Sequence, residues 1–155
     1  MRVTARRDSA GRGATTVDGV ISVALARKLR DGGLRWDPAP GDRFVVADRG
    51  MDDEIFTLSD MTVEVHQFPS GHVIGFNGTV EWALDSIEAR NSVWLPNEAQ
   101  LRERLGGTFR RLSRVEGGWQ GEIALDRRSL DFVADDAAEA YGTALLYLVS
   151  GSSDT

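Results

Sequence analysis

The stretch VEVHQFPSGHVIGFNG, residues 63–78, has two alternating apolar runs on either side of a tight turn, and it predicts a β-hairpin. If His72 lies opposite Gln67, the apolar residues of both runs share one face. A three-residue turn would instead set His66 against Ile74 and mix the two faces. Register follows the apolar pattern, so we expect the first pairing. Since a tight hairpin joins antiparallel strands, this stretch indicates an antiparallel sheet.

Both histidines of the chain lie in this hairpin, and the expected register separates them. His66 and His72 project from opposite faces, so they cannot bind one metal ion together. His66 shares its face with Glu64, two positions earlier. A histidine beside a carboxylate is suited to proton transfer, so His66 and Glu64 are the candidate catalytic residues, with polar residues that merely flank a turn as the alternative. We expect no metal site and no cofactor.

A second hairpin is predicted over FRRLSRVEGGWQGEIAL, residues 109–125. A three-residue turn over 116–118, which ends in glycine, sets Val115 opposite Trp119 and leaves one face largely apolar. A two-residue turn mixes polar and apolar side chains on both faces. We therefore expect the three-residue turn, although it leaves Arg111 on the apolar face.

The first helix is predicted from an apolar stripe that begins just after Val20. The stripe consists of Ile21, Ala24, Leu25 and Leu29. Asp18 is a candidate cap for the start, and the pair Gly32-Gly33 is expected to end the helix in a left-handed turn. A proline-rich turn follows and leads into a strand over 44–47.

Two segments in the second half of the chain are also predicted helices. In GTVEWALDSIEA, residues 78–89, both helical and strand spacing fit, and we favour a helix that Thr79 caps. The next helix begins at Pro96, carries Leu101 and Leu105 on one face, and ends at Gly106.

The last predicted helix, over 137–149, is apolar nearly all round. Asp136 and Glu139 at its start resemble a capping box. A helix with this composition is buried on more than one side, either in the core or in a subunit interface.

Hairpins combined with helices predict an α+β fold, with an antiparallel sheet built from hairpins, helices packed mainly on one face, and a buried C-terminal helix. The chain has 155 residues, which fits one domain. We expect a single domain over 20–150, a disordered basic arm over 1–19 and a disordered tail over 151–155.

Composition excludes several classes of function. The chain has no cysteine, which excludes disulfides, thiolate metal sites and a thiol nucleophile. The formal net charge is −6, so we expect no nucleic-acid partner. No run of residues approaches the roughly 18 apolar residues of a membrane span, so we expect no membrane partner and a cytoplasmic protein.

Two further groups of residues are candidates for a site. The acidic run DRGMDDEIFTLSD, residues 48–60, has the carboxylate density of a cation site but not the spacing of a calcium loop, and a solvated loop is the alternative. Trp36, Trp82 and Trp94 are candidates for lining a ligand pocket, with core packing as the alternative. The sequence contains no nucleotide-binding or hydrolase motif.

Two stretches, ISVALARKLRDGGLRWDPAPGDRFVV (21–46) and SVWLPNEAQLRERLGGTFRRL (92–112), resemble small uncharacterised actinobacterial proteins. Many of those proteins carry the automatic label of a CpaE-type pilus assembly protein, and the resemblance spans about 20–149. Proteins that earn this name are similar to MinD-type ATPases, which need a P-loop lysine. This sequence has no such lysine, so the resemblance implies no ATPase role and no site residues here.

These observations together predict a bacterial non-catalytic binding or accessory protein. The resemblance alone implies a link to pilus assembly. The expected partner is a second copy of the chain or another protein. The alternative is a small-molecule-binding domain, or a small enzyme that uses Asp or Glu side chains and a single histidine.

Overall fold

The computed structural model describes residues 19–46, 55–58, 63–68, 71–76, 86–88 and 92–151. In these residues the chain has an α+β fold with its C-terminal helix packed against strands, as the sequence predicts. The structure gathers into two compact units, of which one contains Trp36–Leu95 and the other joins Thr16–Arg35 to Pro96–Thr155. Apart from Gly19 and Gly151, the predicted arm and tail lie outside the described residues, and the single domain over 20–150 stays a prediction.

In its described residues, the unit that contains Trp36–Leu95 has two antiparallel three-stranded sheets. Its strands are β1 (Arg43–Val46), β2 (Phe56–Thr57), β3 (Val63–Phe68), β4 (Gly71–Phe76), β5 (Ser86–Glu88) and β6 (Ser92–Leu95). One sheet has β1 between β2 and β6, and the other has β4 between β3 and β5. The strand predicted over 44–47 corresponds to β1, whose Phe44, Val45 and Val46 are fully buried.

The register predicted for the histidine hairpin is confirmed. His72 pairs with Gln67, and Val65 pairs with Ile74. The helix predicted over 78–89 is wrong where the structure describes it, because Ser86–Glu88 forms β5 and pairs with β4. A short apolar alternation fits a strand as well as a helix, and here a partner strand decides the outcome. The remaining residues of 78–89, with the predicted cap Thr79, lie outside the described residues.

The described residues of the unit that joins Thr16–Arg35 to Pro96–Thr155 form three helices and one sheet. Its elements are α1 (Val23–Asp31), α2 (Glu98–Leu105), a 3-10 turn (Gly106–Thr108), β7 (Phe109–Val115), β8 (Gly118–Leu125), β9 (Arg128–Ala134) and α3 (Ala137–Gly151). The sheet is antiparallel, with β8 between β7 and β9. Helix α3 packs against β8 and β9 on one face and also contacts α1 and α2.

Helix α1 begins and ends through its own capping groups. Its N-cap is Ser22, whose Oγ accepts the N–H of Leu25, while the predicted cap Asp18 lies outside the described residues. At the other end, the N–H groups of Gly33 and Leu34 donate to carbonyls of the last turn, with Gly33 at φ +105°. This hydrogen-bond pattern is a Schellman motif, so the predicted left-handed end is confirmed.

Helix α2 follows the prediction closely. Asn97 caps it, and reciprocal hydrogen bonds with Gln100 form a capping box, so the helix begins two residues after Pro96. Leu101 and Leu105 are buried on one face, as expected. The chain leaves the helix at glycine 106, which has a positive φ of 55°.

The register predicted for the second hairpin is wrong. The turn has two residues, so Val115 pairs with Gly118, and Trp119 pairs with Arg114 instead of Val115. The reason is an irregularity between Phe109 and Arg111, where β7 has one extra residue. Such a β-bulge resets the alternation of faces, and a pattern argument with uniform alternation cannot include it.

Strand β9 was not predicted at all. It returns from β8 through a two-residue turn of Asp126 and Arg127, whose φ angles of 49° and 64° are those of a type I′ turn. This turn type normally carries asparagine or glycine, so the Asp-Arg pair gives no sequence signal. The pairing sets Leu130 opposite Ile123, which has no exposed surface.

Helices α1 and α3 run side by side in the same direction. Near their starts, the N–H of Ser22 donates to Oε1 of Glu139. The approach is closest at Gly142, where a Cβ would lie 2.7 Å from Leu25 Cδ2. At the far end a Cβ on Gly32 would lie 3.2 Å from Val149 Cγ2. Glycines at two of these positions therefore allow the helices to pack closely.

The start of α3 has half of the predicted capping box. Oδ1 of Asp136 accepts the N–H of Glu139, but the Glu139 side chain bonds to α1 and not back to Asp136. The first half of the helix is buried, as predicted, whereas Tyr147 near its end is about half exposed.

Gly118 provides a test of the packing between β8 and β9. A Cβ built there would lie 2.1 Å from the carbonyl oxygen of Ala134, and φ is +153°. We expect Gly118→Ala to lower the free energy of unfolding by about 2–3 kcal/mol, as measured by urea denaturation. Gly107→Ala is the matched control, because a Cβ there meets nothing within 4 Å. Equal stability of the two variants would contradict the described β8–β9 packing.

Candidate functional site

The β3–β4–β5 sheet brings the predicted catalytic pair together with two further polar residues. Glu64 and His66 alternate along β3, so they share a face, and His72 lies on the other face. Across β4, Ser86 falls in the same cross-strand row as Glu64, and Glu88 falls in the same row as His66. The register therefore places the residues Glu64, His66, Ser86 and Glu88 on a single face of the sheet.

Proton-transfer chemistry uses these residue types. The outer strands of a three-stranded sheet are about 10 Å apart, so this is the separation of the backbone positions of His66 and Glu88, with Val73 of β4 in the row between them. Sequence analysis missed Ser86 and Glu88 because it placed them in a helix. The pairing of Ile87 with Ile74 is the signal that could have found them.

No metal site is found in the part of the chain that the structure describes. There, no group of three or more His, Asp or Glu residues is placed to hold an ion. The carboxylates of the acidic run over 48–60 lie outside the described residues, as does Trp82.

Trp36 belongs to an aromatic row in the β1 region. Its ring lies 5.3 Å from that of Phe44, which lies 5.6 Å from that of Phe56. The indole Nε1 donates to Oδ2 of Asp42 at 2.9 Å, and the same oxygen accepts the N–H of Ala39 at 3.0 Å. Asp42 is buried, and its carboxylate stabilises the proline-rich turn through these two hydrogen bonds.

Trp94 lies in β6, where it pairs with Phe44 and is only 8% exposed. Trp36 and Trp94 thus both belong to the packed region around β1. A ligand pocket lined by Trp36, Trp82 and Trp94 stays a prediction.

The Asp42 carboxylate predicts a clear cost. Asp42→Ala leaves Trp36 Nε1 and the Ala39 N–H without this acceptor. Both bonds are partly buried, so we expect a total loss of about 1–3 kcal/mol of stability. The loss that Asp42→Ala causes should be smaller in a Trp36→Phe background than in the unchanged chain, since Trp36→Phe already removes one donor. Asp31→Ala is the control, because its side chain is 70% exposed. Urea denaturation measures the unchanged chain, the three single variants and the Asp42→Ala/Trp36→Phe double variant. Similar losses for Asp31→Ala and Asp42→Ala would contradict the described bonds.

The β7–β8–β9 sheet has one face under α3 and one open face. On the α3 side, Phe109 contacts Tyr141, and Phe132 contacts Tyr147. The open face carries Arg111, Ser113, Val115, Gln120, Glu122, Ser129, Asp131 and Val133. At its centre, Glu122 accepts from Arg111 Nε at 2.6 Å and from Ser129 Oγ at 2.7 Å.

The hydrogen bond from Ser129 lowers the pKa of Glu122 below the ordinary value of 4.5, and the positive charges of Arg111 and Arg110 add to the effect. A depressed pKa in the folded state stabilises the fold above the unfolded-state pKa. This contribution is lost as the pH falls through the folded-state value.

We expect Ser129→Ala to raise the pKa of Glu122 towards its ordinary value, because the largest cause of the shift is removed. NMR titration of the side-chain carboxyl carbon measures this change. Ser113→Ala on the same face is the control, since Ser113 pairs with Gln120 and not with Glu122. An unchanged Glu122 pKa in Ser129→Ala would contradict the described hydrogen bond.

Two large exposed apolar side chains lie beside β9. Val133, on the open face of that strand, is 59% exposed. Tyr147, on the other side, is 49% exposed, and its ring lies 5.6 Å from that of Phe132. Val133 and Tyr147 lie on opposite sides of the same strand. We call the surface that they flank the β9 edge, which consists of Arg128–Ala134 with Tyr147.

Backbone groups of this edge point outward. The turn hydrogen bond joins Leu125 to Arg128, and hydrogen-bonded pairs alternate along an antiparallel ladder. Ser129, Asp131 and Val133 therefore direct their N–H and C=O groups away from β8. Among the strands that the structure describes, only β8 pairs with β9. The β9 edge thus offers unpaired backbone groups together with apolar surface.

Sequence analysis missed this surface because it did not predict β9. Neither the protein-family models nor the curated proteins nor the solved structures that we compared give a match to this chain. Within the described residues, no helix has the length and apolar character needed to cross a membrane.

Proposed function

We propose that this chain is a non-catalytic binding protein that takes up an extended strand of a protein partner at the β9 edge. The observation that carries the proposal is the coincidence of an unpaired strand edge with the exposed Val133 and Tyr147. Single exposed apolar residues are common, but here two of them flank one row of free backbone donors and acceptors. Addition of a strand to such an edge is a general mode of protein recognition.

The chemistry of the edge describes the strand that it would accept. Next to the α3 side, the added strand meets Leu130, Phe132 and Tyr147, which favours apolar side chains. Next to the open face it meets Asp131, which favours a basic or hydroxyl side chain. An alternating apolar and polar segment has this pattern.

A cytoplasmic location is part of the proposal, and it is supported by the absence of cysteine from the chain. A role in pilus assembly is supported only by the resemblance of the two stretches 21–46 and 92–112. The proposed binding function does not depend on that role.

One observation favours a second candidate, a small-molecule site on the β3–β4–β5 sheet. The pairing of the strands places Glu64, His66, Ser86 and Glu88 on one face. A small enzyme or ligand-binding domain would use His66 there as the proton carrier.

A thermal-shift panel with divalent metals, nucleotides and common metabolites separates the two functions. If the chain is a binding protein for other proteins, we expect its melting temperature to stay unchanged with every compound. The full chain is measured beside His66→Ala and the matched control His72→Ala, which lies on the opposite face. A shift of several degrees that disappears in His66→Ala and persists in His72→Ala would overturn the proposal in favour of the small-molecule site.

A further inference from the structure

We infer that the strand added at the β9 edge comes from a second copy of this chain. In this arrangement two β9 strands pair antiparallel about a twofold axis, and Asp131 of each copy lies opposite Ser129 of the other. The two sheets become one continuous six-stranded sheet. The inference rests on the proposed function, since it names the partner of the same edge.

The charges along β9 make the strand complementary to itself. Arg127 and Arg128 stand at its beginning, and Asp135 and Asp136 follow directly after its end. Antiparallel pairing of two copies sets the basic end of one strand towards the acidic end of the other, whereas parallel pairing would set like charges together. Opposite charges across a strand pair stabilise it, and like charges destabilise it. A second copy is therefore the partner whose charges match this edge.

The outward backbone groups restrict the register. Only residues 129, 131 and 133 of each strand can exchange hydrogen bonds with the other copy, so a symmetric pair is centred on Leu130, Asp131 or Phe132. A centre at Asp131 sets the two Asp131 carboxylates directly opposite each other. A centre at Phe132 makes Asp135 of the second copy a diagonal neighbour of Asp131, with no arginine beside it.

A centre at Leu130 avoids both conflicts. Asp131 then lies opposite the Ser129 hydroxyl of the second copy, next to the turn that carries its Arg127, and the two Asp131 carboxylates are diagonal neighbours and not directly opposite. The pairs of Asp131 with Ser129 and of Ser129 with Asp131 each exchange two backbone hydrogen bonds. This is the register in which the strand pair satisfies the acid at the middle of the edge.

The same register covers the exposed apolar residues. On the α3 side, Leu130 lies opposite Leu130 of the second copy. Arg128 of the second copy lies opposite Phe132, next to Tyr147. A guanidinium on these aromatic faces makes a cation–π contact, and the two rings are already in contact with each other. On the open face, Val133 lies beside the turn that carries Arg127 of the second copy, whose aliphatic stem can cover it.

Light scattering on the full chain over a concentration series tests the self-association. We expect a dimer that dissociates on dilution, and we expect Val133→Lys to weaken it about tenfold by adding a charge beside the turn that carries Arg127 of the second copy. Val115→Lys is the matched control, because Val115 lies on the same face of the sheet but on the far edge strand β7. A chain that is monomeric at every concentration, or equal weakening by both variants, would overturn the inference.

Single cysteines test the register, because the chain has none of its own. The three positions to be changed, Ser129, Asp131 and Val133, are all exposed, so a cysteine at any of them leaves the core intact. Directly opposite residues in this kind of pair have Cα atoms about 5.5 Å apart, which a disulfide can span. We expect an equimolar mixture of Ser129→Cys and Asp131→Cys to form a cross-linked dimer on mild oxidation. Cross-linking of Asp131→Cys alone, or of Asp131→Cys with Val133→Cys in preference to it, would overturn the proposed pairing.

The two proposals fail in different ways. A monomeric chain with no ligand in the thermal-shift panel rejects self-pairing and leaves a different protein strand as the partner of the β9 edge. A ligand shift that depends on His66 rejects the proposed binding function, whatever the oligomeric state.

Discussion

The hydrogen bond from the Ser22 N–H to the Glu139 carboxylate joins α1 to α3 across 117 positions of the chain, within the unit that combines Thr16–Arg35 with Pro96–Thr155. In a capping box, the acid that accepts the N-cap N–H stands three residues later in the same helix. That position in α1 is Leu25, which is buried and packs towards Gly142. Because Glu139 supplies the missing acceptor from another helix, position 25 is available for the core, and one contact satisfies the backbone and sets the helix spacing.

The features that the sequence predicted well are those set by neighbouring residues. The register of the histidine hairpin follows from the apolar residues Val65 and Ile74, since a shift by one position would move every apolar side chain to the other face. The capping of α2 and the left-handed glycine at the end of α1 are likewise local. The cap of α3 was only half correct, because its glutamate is used by a helix that is distant in sequence.

The features that were missed depend on pairing partners. The bulge in β7 allows Phe109 to contact Tyr141 while Arg111 bonds to Glu122 on the opposite face, an outcome that uniform alternation excludes. Strand β9 follows a turn without the usual glycine or asparagine.

Both candidate surfaces show the same limit. His66 and Glu64 could be placed on one face from β3 alone, but Glu88 joins them only through β4. The β9 edge is a property of a whole sheet, because a strand is an edge only when one of its sides has no partner. The sequence of β9 shows the alternation of its side chains, but it does not show how many strands pair with β9.

The discontinuity of the unit that holds α1 and α3 has a consequence for biosynthesis. The ribosome makes α1 before the strands of the other unit, and its packing partner α3 emerges only after them. A unit built from one continuous segment can fold as it is synthesised, but this unit cannot close until α3 has emerged. During that interval the apolar side of α1, with Ile21, Leu25 and Leu29, has no helix to cover it. Until α3 emerges, that apolar surface is therefore accessible to chaperones that bind apolar segments.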